Sequence, residues 1–157
     1  MYNCFDISKE FLNLAKKEGA SIAPMKLLKL VYIAHGYHLG FQKGPLIENT
    51  VQAWKYGPVI ADLYHATKKF GSFPVDCDYI DLLSSNELAE EDKHFLSLVW
   101  NAYKQLSGLQ LSSLTHQDGT PWAVTYDGEY HKTISNEVIE NYYTQLINER
   151  AESTPQA

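Results

Sequence analysis

A mainly α domain carrying a small antiparallel β-sheet is the fold class this sequence predicts, on three observations. Apolar residues recur at helical spacing in several long segments. One central segment, Leu46 to Trp54, alternates loosely instead and follows a Gly44-Pro45 breaker. The third is size: 157 residues, 45% of them apolar, suffice to bury roughly 70% of the unfolded chain's surface in one core without disulfides or metal.

The elements follow in order. A first helix is expected over Asp6 to Glu18, with Asp6 as its cap, Ile7, Phe11, Leu14 and Ala15 on one stripe, and Gly19 as its stop. A second spans Ile22 to Leu39, with Pro24 in the first turn, where a missing amide costs nothing. Its buried arc holds Met25, Leu27, Leu28, Val31, Tyr32, His35, His38 and Leu39. The opposite arc mixes Lys26 and Lys29 with Leu30, Ile33 and Tyr37, which marks this as a central helix partly covered on both sides. The alternating strand ends at Trp54, and Pro58 is placed at the start of the next helix, with Asp62 in its first turn, Lys68 and Lys69 in its last, and Gly71 as its stop. Phe73 to Ile80 alternates through Val75, Cys77 and Tyr79 and is expected to pair with the first strand.

Phe95, Leu98, Val99, Ala102 and Leu106 define a long helix within 87–107, closed by Gly108. Leu109 to His116 forms a short helical turn, and Thr120-Pro121-Trp122 reads as a cap and proline-initiated start of another. A last helix begins at Ser135 and buries Val138, Ile139, Tyr142, Tyr143 and Leu146. Residues 1–150 are expected to form one domain, and 151–157 (AESTPQA) a flexible tail.

Composition excludes several function classes. The longest apolar stretch contains Lys29 and is far shorter than the roughly 20 residues of a membrane span. No secretory signal pattern is visible, so a cytoplasmic location is expected. A net charge of -6 opposes general nucleic-acid coating. Cys4 and Cys77 lack the spacing of a zinc or redox motif and are expected as free thiols. No nucleophile elbow or glycine-rich phosphate loop occurs, so neither catalytic residues nor a cofactor is predicted.

Two further features bear on function. His35 and His38 lie three apart, a spacing able to present two nitrogens to a metal, with His65, His94, His116 or His131 as a third ligand; hydrogen-bonded core histidines are the favoured reading. The segments 54–59 (WKYGPV) and 115–122 (THQDGTPW) each combine a tryptophan with a proline-directed turn. They serve either as keystones locking helices together or as a recognition surface rich in the residues that dominate interface energetics.

At these residues the chain resembles the Panacea domain, the family of SocA-like antitoxins and phage-associated GepA-type proteins. Four blocks carry the resemblance: 25–32 (MKLLKLVY), 53–59 (AWKYGPV) followed by Tyr64, 114–116 (LTH), and Pro121-Trp122. Thr120 stands where many relatives have a second proline, and can cap the helix instead. The resemblance implies no enzyme, but an antitoxin of a toxin-antitoxin system that neutralises a co-encoded toxin by direct protein binding. One branch implies instead an adaptor delivering the toxin to a host protease. No helix-turn-helix segment precedes the domain in this sequence, so promoter binding is not expected. Lys26, Lys29, Trp54, Tyr56, His116 and Trp122 are the candidate partner-binding residues, with Gly57, Pro58, Tyr64, Thr115 and Pro121 as the motif that shapes them. The rival from a different class, a metal-dependent enzyme using His35, His38 and His116, ranks last.

Overall fold

The computed structural model describes residues 1–129 and 131–153. It is mainly helical with one small sheet, and several of its helices start at a residue whose side chain accepts from a free amide. Helix α1 (Cys4–Lys17) is capped by Asn3, whose side chain accepts from Phe5 N at 3.1 Å. Asp6 is therefore not the cap; it is the acidic member of a capping box, its carboxylate accepting from Asn3 N at 3.2 Å. Its other oxygen accepts from Ser85 N and Asn86 N, pinning a distant loop to the start of α1.

Helix α2 (Pro24–Gly40) begins on its proline and runs through the core, packed by α1 and by elements introduced below. Both of its arcs are covered: Leu27, Leu30, Val31, Tyr32 and Ile33 are all buried, whereas Met25, expected inside, is 41% exposed. The sheet has the order β2 (Gly57–Ile60), β1 (Val51–Trp54), β3 (Lys132–Thr133), all antiparallel. Strand β1 (Val51–Trp54) is shorter than its alternation suggested, since Leu46 and Ile47 pack inward ahead of it.

Two expectations fail here. Pro58 does not start a helix; it lies inside β2 (Gly57–Ile60), paired with Ala53, and α3 (Ala61–Thr67) begins three residues later. A proline fits because β2 is an edge strand, where one ladder amide is dispensable. Likewise 73–80 joins no sheet: Asp76 caps α4 (Cys77–Leu83) by accepting from Asp78 N. The second partner of β1 is β3 (Lys132–Thr133), which two exposed residues and no alternation could not announce.

Helix α5 (Glu90–Tyr103) carries Phe95, Leu96, Val99 and Trp100 inward and leaves Leu98 55% exposed, against expectation. Gly108 opens α6 (Gly108–Thr115) rather than closing α5, because Ser107 and Gln110 form a capping box there. Thr120 caps α7 (Pro121–Thr125) as expected, accepting from Ala123 N. Helix α8 (Asn136–Ser153) packs along α2 and continues three residues past the expected domain end. The remainder of the expected tail, 154–157, lies outside the described residues.

The α2–α8 contact is close because α2 offers two glycines. A methyl at Gly36 would overlap the Tyr143 ring, and one at Gly40 would stand 2.8 Å from Tyr143 Cβ and 2.9 Å from Ile147. Tyr143 fills that space, edge-on to Tyr37 at 4.9 Å between centroids. Arg150 of α8 donates to the Tyr37 hydroxyl, which bonds that of Tyr103 at 2.6 Å, so α8, α2 and α5 share one polar tie. No helix among the described residues is long and apolar enough to cross a membrane.

Candidate functional site

The first half of α2, the β1–β2 hairpin and the loop leading into β3 enclose a cleft of about 670 Å³. Its walls are mostly apolar and aromatic: Met25 and Leu28 from α2, Trp54 and Tyr56 from the hairpin, Tyr64 from α3, and Tyr126 and His131 beyond α7. That size and character match an ordinary ligand or side-chain pocket. A second depression, between α1 and α5, carries mixed charge from Glu10, Lys17, Glu90 and Lys93 and lacks such a floor.

The hairpin is built to hold its shape. Its two strands turn on Lys55 and Tyr56, and Gly57 follows at φ 123°, a value that side-chain-bearing residues rarely adopt. A Cβ there would also stand 3.1 Å from Lys29 Nζ, a tight approach that adds to the conformational demand for glycine. The Tyr56 carbonyl accepts from Ser112 Oγ of α6 at 2.8 Å, while the Tyr56 ring is 67% exposed at the rim. Trp54 Nε1 donates to Gln52 Oε1 at 2.9 Å. Its ring meets Tyr64 edge-on at 4.8 Å and stacks on His131 at 4.5 Å.

Behind the hairpin stands the 115–122 segment. Trp122 Nε1 donates to the Trp54 carbonyl at 2.5 Å, and its ring stacks on Tyr126 and meets His116 edge-on. His116 Nδ1 donates to the Ser112 carbonyl, and buried Thr115 donates to Leu111 O at 2.9 Å. Pro121 starts α7 with its ring buried. Here the keystone reading describes the contacts: His116 and Trp122 do not line the cleft but brace the strand that does.

Lys29 is the unexpected member. It belongs to the mixed, partly covered arc of α2; the structure leaves it 4% exposed, with its side chain lining the cleft. Nζ donates to the Pro58 carbonyl at 2.8 Å, and among the described residues no carboxylate pairs with it. Burial alone pulls its pKa down to about 8. Lys55 and Lys68 also line the cleft, against one carboxylate, Glu129. Lys26 lies elsewhere: its ammonium donates to the Lys104 carbonyl at 2.6 Å, at the end of α5, and lies 5.5 Å from the centre of the Trp100 ring.

Of the six candidate residues, the fold thus brings Lys29, Trp54 and Tyr56 to one cavity, places His116 and Trp122 behind it, and gives Lys26 a structural tie. Sequence reasoning missed Lys55, Lys68, Ser112, Tyr126, Glu129 and His131. Lys55 sits inside a motif already singled out, but nothing local announces that Tyr126 and His131 come back to the cleft beside Trp54.

The imidazoles do not assemble a metal centre. His35 Nδ1 accepts from Leu46 N and Ile47 N at 3.3 and 3.4 Å, leaving Nε2–H to donate to Asn136 Oδ1 at 3.0 Å, and burial lowers its pKa. His38 Nδ1 instead donates to the Gly44 carbonyl at 2.6 Å. Among the described residues no three His, Cys, Asp or Glu side chains come together in a metal-binding group. Both cysteines are free, and burial raises the Cys4 thiol pKa, which keeps it protonated and inert.

The sequence pattern of the family described as "Antitoxin SocA-like, Panacea domain" matches residues 27–123. That span includes the α2 lysine, the hairpin and the Pro121-Trp122 brace. Among curated proteins, Antitoxin SocA of Caulobacter vibrioides (strain NA1000 / CB15N) is 30% identical over 130 residues, covering 78% of this chain and 69% of that relative. No solved structure matches.

Proposed function

This chain belongs to the SocA-like Panacea-domain antitoxin family, and on that premise we propose that it neutralises a co-encoded toxin by direct contact, without catalysing a reaction. The contact face in this reading is the cleft and its rim, with Lys29, Trp54 and Tyr56 touching the toxin while His116, Trp122, Gly57, Pro58, Tyr64, Thr115 and Pro121 hold them in place. The observation that carries it is an open, aromatic-walled cleft, most of whose lining falls within the family's matched span, supported from behind by a hydrogen-bonded keystone. Such a pocket with a large exposed aromatic at its edge has the anatomy of an interface anchor site.

Co-expression with the product of the adjoining reading frame tests the reading. Growth rescue together with copurification is the expected result; absence of both rescue and copurification refutes it. Toxin abundance that falls only where a host protease is present identifies the adaptor mechanism instead.

A further inference from the structure

Within that cleft, Lys29 poses a question that neither folding nor family membership answers. An ammonium has three donors. Here it is buried, and the Pro58 carbonyl is its one hydrogen-bond acceptor among the described residues. Burying a cation without a counter-ion is costly, and an apolar side chain of similar length would avoid the penalty. Nor is the lysine held to shield a hidden acid, since no carboxylate pairs with it among the described residues. Its side chain lines the cavity, whose other charged lining groups are Lys55, Lys68 and Glu129. In a chain of net charge -6 this is a local excess of positive charge over an apolar floor.

We propose that the cleft receives an acidic segment of the partner polypeptide: a Glu or Asp carboxylate accepts from the Lys29 ammonium, and the apolar residue beside it enters the cage of Leu28, Trp54 and Tyr64. Three features select a polypeptide carboxylate over other anions. The cage is apolar and aromatic, which suits a mixed acidic and hydrophobic segment better than a bare phosphate. A nucleic-acid backbone needs an extended basic track, which three lysines around one pocket do not provide. Met25 and Tyr56, 41% and 67% exposed, extend the apolar surface past the cleft mouth, where a neighbouring stretch of polypeptide can cover them. The identity of that polypeptide as a toxin rests on the reading above; the acidic-segment chemistry does not.

Two peptides differing in one group supply the test: acetyl-Phe-Glu-Phe-amide and acetyl-Phe-Gln-Phe-amide, titrated into the full chain and followed by backbone amide NMR shifts. The Glu peptide should shift the amides of Ala53, Trp54 and Lys55 and bind about tenfold more tightly than its Gln twin, the usual advantage of a charge-assisted hydrogen bond. Lys29→Met should abolish that preference, whereas Lys26→Met should keep it. Equal binding of the two peptides by the unaltered protein overturns the proposal, and needs no variant to fold. So do shifts that map away from the cleft, or a preference that survives Lys29→Met. Because the peptides replace the toxin, a failed peptide preference with intact neutralisation discards only the acidic segment. An intact preference without neutralisation discards only the antitoxin reading.

Discussion

The second half of α2, from Tyr32 to Gly40, meets α8 with no room even for a methyl group, while its first half, around Met25, Leu28 and Lys29, forms one wall of a 670 Å³ cleft. One helix thus shows two uses of buried surface. At the α8 end, each device closes space: glycines admit a tyrosine ring, and hydroxyls meet each other and an arginine. At the cleft end, space is kept open by a hairpin propped from behind, and a buried lysine lines it with no carboxylate partner among the described residues. Close packing contributes stability, whereas an unfilled cavity lined by a desolvated charge withholds it, and perturbed groups in clefts are where binding concentrates.

The contrast is sharpest at Gly36. Gly36→Ala would add helix propensity in isolation, worth about 1 kcal/mol, yet its methyl would overlap the Tyr143 ring. The net loss should reach the top of the ~1–3 kcal/mol overpacking range or exceed it, read as a lowered denaturant midpoint. A loss under about 1 kcal/mol would mean that the two helices are not tightly apposed.

Lys29 predicts the opposite kind of signature, one of pH. Its folded pKa of about 8 lies below the ordinary lysine value of 10.5, so between those values the unfolded chain holds the proton that the folded chain has lost. Stability contributed at this site therefore rises with pH across that window, by up to about 3 kcal/mol. Subtracting the pH profile of Lys29→Met isolates the effect from the tyrosines, several of whose pKa values are raised by burial. A flat difference would place the ammonium in water.

Trp122 and Trp54 separate brace from wall. Both are only half-buried, so the ~3–5 kcal/mol expected of a fully buried ring is too large. Trp122→Ala removes the bond to the Trp54 carbonyl and the Tyr126 stack and should cost about 2 kcal/mol in thermal or chemical denaturation. Trp54→Ala should cost less stability and more partner binding. Should Trp122→Ala prove neutral to folding, the keystone assignment fails. Smallest is Lys26→Met, which loses one bond to the Lys104 carbonyl and should lower stability by about 1 kcal/mol, with peptide or toxin binding unchanged.

Legibility followed the range of the responsible interaction only in part, since the local caps Asn3 and Ser107 lose out to Asp6 and Gly108 in a reading of the sequence. Thr120 before Pro121 and Ser135 before α8 were readable, because a cap acts within four residues and its side chain names it. Pro58 misled because proline at a helix start and proline on an edge strand share one φ; the choice depends on whether a partner lies on the amide side. Phe73 to Ile80 misled because a few alternating residues are consistent with strand until Asp76 caps a helix through them. The site divided likewise: Trp54 and Tyr56 were visible as a motif, but the return of Tyr126 and His131 to Trp54 was not.

The sequence by itself determined the helical class, the central role of α2, and the family, because hydrophobic periodicity and a few short motifs are local properties of the chain. Only the tertiary structure decided that Lys29 is buried against a cavity while Lys26, one turn earlier, ties down another helix. Helical phase tells which way a side chain leaves its own axis; whether it meets water, a carbonyl or an empty cleft depends on residues far away in sequence, placed there by the packing of every other element.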